Sequence, residues 1–379
     1  MKSERFLCFS PDVSYRGLEA PHLFNIKTDE LYELEEDGLC FIKEVESGTA
    51  EEDITDREVL EFALEEGLVQ RSDSPMSAPL KKGQSPIPSL RYLELILTTR
   101  CNLRCRHCYQ GGTKSADLEP GTLERAVDEF DDMQGLRLLL SGGEPLLYSH
   151  FDKLLSLLPV RGFRSVLISN GLLLKRDILE NAPFHEIQVS IDGMEGGHDW
   201  MRGDGTFQKA VEGARLVVET GLDLSVATMV HPRNLEEIDE LEKLVHGLSA
   251  REWSLEVPTE AGRWQAQEGL LEKAASCLSR GFGGSYHGSA EGFACGHHLA
   301  AISPEGDLIK CGFYRDRPIG HIKKGLRQVW SEKPVVSVSD IEVCCDCEYR
   351  DECGGGCRFR AGEGPDPLMC AAYGRPLPK

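Results

Sequence analysis

Residues 98–112 read TTRCNLRCRHCYQGG, and three cysteines in this stretch, Cys101, Cys105 and Cys108, stand at a C-x3-C-x2-C spacing. Thiolates are the usual protein ligands of iron–sulfur clusters, which normally take four of them. Three thiolates hold three corners of a 4Fe–4S cube and leave the fourth iron open to a ligand from outside the chain. The rival reading is zinc, whose structural sites usually take four protein ligands. The residues on either side decide between the two.

The motif follows a strand-like run, Tyr92–Leu97, and further runs lie at Leu136–Leu140, Ser165–Ser169, Glu186–Ile191, Leu222–Val230 and Arg251–Val257. Helical patterns separate them, such as GTLERAVDEFDDM and FQKAVEGARLVVET. Six strands alternating with helices predict a parallel α/β architecture. An open sheet and a partial barrel both satisfy that pattern. Small or polar residues sit at the ends of the later strands: SGGEP (Ser141–Pro145) after the second, ISNG up to Gly171 after the third, and VSIDG (Val189–Gly193) after the fourth. The C-terminal ends of parallel strands are where α/β enzymes build their sites.

Taken in this order, the cysteine triad, the following aromatic residue, GGE and the polar strand ends resemble the radical S-adenosylmethionine (SAM) superfamily over residues 90–235. The resemblance implies a partial (β/α)6 TIM-type barrel. It implies that Cys101, Cys105 and Cys108 bind a 4Fe–4S cluster whose open iron is chelated by the amino and carboxylate groups of SAM. Reductive cleavage of SAM would then give methionine and a 5′-deoxyadenosyl radical. By the same resemblance Tyr109 lies by the adenine, Gly142 and Gly143 allow close backbone approach, and Glu144 meets the SAM ammonium. HDWMRGDGTF resembles the segment that commonly follows. Asn170, Ser190 and Arg202 are candidates for the ribose and carboxylate of SAM, with turn formation and capping as the ordinary alternative for such residues.

Fourteen cysteines are many for a chain without the long apolar start of a signal peptide, and they are clustered. In a reducing compartment such clusters favour metals over disulfides. Cys295 and Cys311 stand in C-x10-G-x4-C, and Cys344, Cys347, Cys353 and Cys357 in C-x2-C-x5-C-x3-C, with Cys370 after them. LAAISPEGDLIKCGF reads as a hairpin around Pro304–Asp307. This order, with GGGC at Gly354–Cys357 and IGHI at Ile319–Ile322, resembles the SPASM domain, which carries two auxiliary 4Fe–4S clusters. The resemblance gives Cys295, Cys311 and Cys357 to the first cluster and Cys344, Cys347, Cys353 and Cys370 to the second. It leaves Cys345 spare and the first cluster without a fourth cysteine. Cys277, a water or small thiol, and a substrate cysteine are the available fillers. Cys8 and Cys40 read as incidental thiols, and His297 and His298 as packing residues.

The first eighty residues combine two strand-like runs, around Phe24–Ile26 and Leu31–Leu34, with two amphipathic stretches ending in REVLEFALEEGLV. The Ser- and Pro-rich SDSPMSAPLKKGQSPIPS then reads as a linker. The division is therefore 1–80 as a small winged-helix-like unit, 81–260 as the radical SAM core and 261–379 as the SPASM domain. A winged-helix unit before such a core resembles the recognition element of peptide maturases, which captures a leader peptide by strand addition; a cap over the barrel mouth is the structural alternative. The formal net charge of −21 argues against a nucleic-acid partner, which needs clustered Lys and Arg. No apolar run is long enough to predict a membrane span, and a cytoplasmic location is expected.

These features together predict a peptide-modifying enzyme, similar to geopeptide-type maturases, that abstracts hydrogen from a ribosomal precursor peptide. A crosslink with thioether favoured, an epimer or an oxidised residue would result. The implied partners are the precursor peptide and an electron donor such as ferredoxin or flavodoxin. A radical SAM enzyme acting on a tetrapyrrole or other small molecule, and a non-catalytic metal-binding scaffold, are the alternatives.

Overall fold

The computed structural model describes residues 5–75, 79–110, 114–284 and 292–375. In the N-terminal unit, β1 (Phe6–Phe9) pairs antiparallel with a later β5, while β2 (Val13–Gly17), β3 (Pro21–Asn25) and β4 (Glu30–Glu33) form a three-stranded antiparallel sheet. Helices Glu36–Glu46 and Arg57–Glu65 precede β5 (Val69–Ser72). Asp56 starts the second helix by accepting from the N–H groups of Glu58 and Val59 at 2.9 and 3.0 Å. The apolar faces of both helices meet Leu7, Leu23 and Val69 in a small core of their own. The sequence predicts strands near β3 and β4 and the two amphipathic stretches that form the helices. It gives no warning of β1, β2 and β5, because runs such as VSYRG and VQRS carry no clean alternation.

The central strands are β6 (Tyr92–Thr98), β7 (Arg137–Gly142), β8 (Arg164–Ser169), β9 (Glu186–Ser190), β10 (Asp223–Met229) and β11 (Glu252–Glu256). All six are parallel and stand side by side in sequence order. A doubly wound open sheet reverses its order at a switch point. Here the order never reverses, so right-handed crossovers place the helices on one face and leave a concave inner face. This is the (β/α)6 arrangement, and it settles the choice between open sheet and partial barrel. Along β6, Leu93, Leu95 and Leu97 pack outward in the main core, whereas Glu94 opens onto the interior.

The sheet continues past β6. β12 (Leu299–Ile302) adds to it in parallel, followed antiparallel by β13 (Asp307–Ile309) and β14 (Gly320–His321). The predicted hairpin is the β12–β13 turn. Ser303 Oγ accepts from the N–H groups of Glu305 and Asp307 at 3.2 and 3.3 Å, and Gly306 takes a φ of +87° that suits glycine. The start of the cysteine-rich region is thus built into the core sheet.

The N-terminal unit docks on the N-terminal ends of the barrel strands. Arg164, buried at the start of β8, donates to the carbonyls of Ile26 and Lys27 at 2.9 and 3.0 Å and to Glu186 and Asp223. Asp29 pairs with Arg137, and Arg251 donates to the Thr28 carbonyl. Leu18, Phe24 and Ile26 pack on Leu136. These contacts lie at the end opposite the cysteine loop, so the unit is not a cap over the mouth. Residues 79–89 are bound along it and are no free tether: Ser85 N–H donates to Gly17 at 2.7 Å, and Ser89 is fully buried against Glu19.

Candidate active site

The loop carrying Cys101, Cys105 and Cys108 leaves the C-terminal end of β6 and is clamped by the end of β7. Gly143 N–H donates to the Thr98 carbonyl at 2.7 Å and Glu144 N–H to that of Arg100 at 2.8 Å. A side chain on Gly142 or Gly143 would run into the backbone of Thr98 or Arg100. The close backbone approach that the GGE motif predicts is therefore an approach to the cysteine loop. All three thiols border a cavity of about 280 Å³, shared with Gly142, Gly143, Asn170, Ser190 and Arg202.

Glu144 is fully buried, and its carboxylate accepts from Ser169 Oγ at 2.9 Å, Asn170 N–H at 2.9 Å and Leu146 N–H at 3.3 Å. A carboxylate has about four lone-pair sites, so these bonds leave room for one more donor. Burial pushes its pKa up, and the hydrogen bonds with Asn170, Ser169 and Leu146 oppose that. Asn170 turns toward the cysteine loop, donating Nδ2 to Asn102 Oδ1 at 2.8 Å.

Arg202 reaches the cavity from helix Glu195–Arg202 and is fixed by Asp192, from the VSIDG motif, at 2.6 Å. Burial lowers the Arg202 pKa, but Asp192 and then the neighbouring Cys105 raise it further, so its charge is secure beside the thiols. Sequence reading passed over Asp192 and His107. His107 stands between the second and third cysteines and lines the cavity; among the described residues its buried Nδ1 has no hydrogen bond and lies 4.0 Å from Asp192. Its position inside the C-x2-C was the available signal.

Tyr109 also lines the cavity, yet its ring lies against the C-terminal region, 5.3 Å from Phe313 between ring centres and so near Gly312 that a side chain there would collide with it. The aromatic residue after the triad therefore joins the first cysteine loop to the segment after Cys311. Burial raises the thiols of Cys101 and Cys105, the latter to about 11. Positive charge from iron is what would let such thiols lose their protons. Among the described residues, no three His, Cys, Asp or Glu side chains gather tightly enough for one metal ion. A cube does not require that, since each thiolate bonds a different iron. The donor set and the cradle thus fit a 4Fe–4S cluster with SAM.

Residues 95–245 match the family model described as the radical SAM superfamily. These residues form a radical SAM domain. It is 26% identical over 325 residues to the mycofactocin maturase MftC of Mycolicibacterium smegmatis, covering 74% of this chain and 82% of that one. It is 28% identical over 318 residues to an AdoMet-dependent heme synthase of Methanosarcina barkeri, covering 70% and 90%. Streptococcus suis SuiB, in structures bound to S-adenosylmethionine and to precursor peptide SuiA, has the same fold. The TM-scores are 0.68 and 0.67 at 17% and 15% identity, over 95% and 96% of this chain and 98% of each of those.

Beyond the radical SAM domain, seven C-terminal cysteines fall into two neighbourhoods. Cys311 feels Cys295 and Cys357, and burial drives its thiol up to about 12. Cys353 and Cys370 feel Cys344, and Cys370 also feels Cys347. Gly354, Gly355 and Gly356 all take positive φ, which only a glycine run does readily, and Asp366 gathers the loop by accepting from Cys357 N–H at 2.7 Å. Cys345 donates its thiol to the Glu342 carbonyl. Burial raises the Cys277 thiol, with Ser276, Arg280 and Asp239 beside it. His297 and His298 are packing groups: His297 is buried and accepts from Val336 N–H at 3.0 Å, and His298 packs edge-on to Tyr92.

Proposed function

We propose that this enzyme modifies a ribosomally made precursor peptide. The observation that carries the reading is the strand-rich N-terminal unit, which lies within a fold correspondence to SuiB that takes in 95% of this chain. Similarity to the mycofactocin maturase supports the same reading. Bound SAM and its cluster would supply a hydrogen-abstracting radical. Cys101, Cys105 and Cys108 would hold that cluster. Glu144 has one acceptor site left for the SAM ammonium, Arg202 offers a fixed positive charge to its carboxylate, and Ser190 and Asn170 border the same space. Gly142 and Gly143 keep the loop seated, and Tyr109 closes the cavity toward the C-terminal region.

The two cysteine neighbourhoods support a SPASM domain with two auxiliary 4Fe–4S clusters, Cys295, Cys311 and Cys357 for one and Cys344, Cys347, Cys353 and Cys370 for the other. The first group then has three cysteines and a fourth position open to Cys277 or to an outside ligand. A substrate thiol fits that position, and thioether formation is the product we favour. An electron donor such as ferredoxin or flavodoxin and a cytoplasmic location complete the proposal; among the described residues no helix is long and apolar enough to cross a membrane.

The test is to co-express the chain with short peptides encoded beside its gene and to record peptide mass. A mass lower by two hydrogens, with the new bond mapped to a cysteine, is the expected result. The heme synthase similarity favours a second reading, a tetrapyrrole substrate. Conversion of an iron porphyrin with every neighbouring peptide unchanged would establish that reading instead.

A further inference from the structure

Two side chains bordering the thiol-lined cavity, His107 and Gln110, bury polar atoms that make no hydrogen bond among the described residues. His107 has the Asp192 carboxylate 4.0 Å away. Gln110 is only 6% exposed, and both its Nε2 and its Oε1 are left without a bond. The Tyr109 hydroxyl lies near the amide but outside hydrogen-bond geometry. Glu94, which borders the same cavity, differs: it is half-buried, and Ser141 Oγ donates to it at 2.5 Å.

A buried donor and a buried acceptor left unmet on one side chain are costly, and such groups normally have a partner. The SAM contacts proposed above use Glu144, Arg202, Asn170 and Ser190 and leave Gln110 without a part. The last torsion of a glutamine side chain is broad and roughly two-fold, so the amide turns toward a ligand in the cavity at little cost. Ligands in such spaces are oriented by a few well-placed polar groups. An amide offers donors on one side and an acceptor on the other. In an extended peptide the N–H and C=O of one residue point the same way, which is how paired strands exchange two bonds at one residue. The Gln110 amide matches that pair. An ionised carboxylate, such as a tetrapyrrole carries, only accepts and would leave Oε1 unmet.

We infer that Gln110 holds the main chain of the substrate, taking the N–H and the C=O of one extended residue beside the SAM site. Recognition at this point is then independent of that residue's side chain. The inference deepens the peptide reading and rests on it.

The probes are acetyl-Gly-Gly-Gly-amide, the analogue in which esters replace its internal amides, and coproporphyrin III. Each is measured by equilibrium dialysis against the reconstituted enzyme with SAM bound. The peptide should bind at least about fivefold more tightly than the ester analogue, a difference of about 1 kcal/mol. Gln110→Leu should remove that difference, and Gln110→Glu, which keeps an acceptor for the N–H, should retain part of it. Iron content and SAM binding of each variant check that the fold is intact, and the glutamate variant carries the test if the leucine variant loses iron. Equal binding of peptide and ester analogue by the unaltered enzyme, or a preference that survives Gln110→Leu, would overturn the subsite and leave the peptide reading standing. Loss of SAM binding in both variants with iron retained would also overturn it, by assigning the amide to the cofactor. Binding of coproporphyrin III with neither peptide bound would overturn the subsite and the peptide reading together.

Discussion

Arg202 donates its Nε to the carboxylate of Asp192 at 2.6 Å, and the two side chains are 9% and 0% exposed. Asp192 also accepts from Met229 N–H at 2.8 Å, and its carbonyl accepts from Asn234 Nδ2 at 2.9 Å. Burial would raise the Asp192 carboxyl, but Arg202, with His107 and His198, holds it well below the usual carboxylate range. The pair therefore stays ionised and fixes a positive charge beside the first cysteine loop. Removing one partner of a buried pair strands the other. Asp192→Ala should cost about 3–5 kcal/mol in urea unfolding, whereas Asp192→Asn, which keeps an acceptor for Met229, should lose less. A loss under about 1 kcal/mol in Asp192→Ala would show that Arg202 finds another partner.

The cysteines give a prediction that separates the two metal regions. Three 4Fe–4S clusters correspond to about twelve irons per chain after anaerobic reconstitution. Replacing Cys101, Cys105 and Cys108 together by alanine should leave about eight and abolish SAM cleavage, read as 5′-deoxyadenosine. An iron count near four in the unaltered chain, or zinc in place of iron, would rule out the auxiliary clusters. Cleavage at the parental rate in the triple variant would remove these three from the SAM site.

The barrel was readable because its strands are short apolar runs cut by turn residues, and each of the six appears within about two residues of its expected limits. The cysteine loop was readable from its spacing together with the strand before it and the GGE and polar strand ends after it. Asp192 was quoted within VSIDG and passed over, since nothing local shows that Arg202, ten residues on, will turn back to it. Glu94 and Glu256 look like solvated charges in a sequence; they become cavity groups only when the sheet curls. The docking face of the N-terminal unit was hidden for a similar reason. Its main contacts join Asp29 to Arg137 and Arg164 to Ile26, pairs more than a hundred residues apart.

Acid should destabilise the fold through two neutral histidines, His198 buried and His185 half-buried. His185 Nδ1 accepts from Ser165 N–H at 3.0 Å, and His198 Nδ1 accepts from Asp192 N–H at 3.1 Å. Burial, mainly, lowers both to about 4. Between the ordinary value of about 6.5 and that value, the unfolded chain binds protons that the native state refuses. Stability is thus full above that window and falls as the pH drops through it, by up to about 3 kcal/mol for each histidine. Urea midpoints measured at about pH 7 and about pH 5 should show this slope, and His185→Asn, which retains an acceptor for Ser165, should reduce it. An unchanged slope in that variant would mean that His185 protonates in place without loss.

The last prediction concerns the joint between the N-terminal unit and the barrel. Asp29 is fully buried, pairs with Arg137 and lies 3.7 Å from Arg251, so one carboxylate serves the starts of two strands. Its φ of +61° is a conformation that asparagine and glycine tolerate well. Asp29→Asn therefore preserves the turn and removes the charge, while Asp29→Gly removes the side chain as well. Each takes Asp29 from Arg137, which keeps Glu252 at 3.7 Å, and a loss toward the lower end of about 3–5 kcal/mol is expected at the joint. The small core of the N-terminal unit is separate from that of the barrel, so the damage should appear as a separate early transition and as faster proteolysis between residues 72 and 89. For the same reason, deleting residues 1–80 would strip the barrel base of Asp29 and of the carbonyls that hold Arg164, and a fall in SAM cleavage after that deletion would say nothing about peptide recognition. A single cooperative transition at the parental midpoint in Asp29→Asn would show that Arg251 and Arg164 suffice to hold the unit in place.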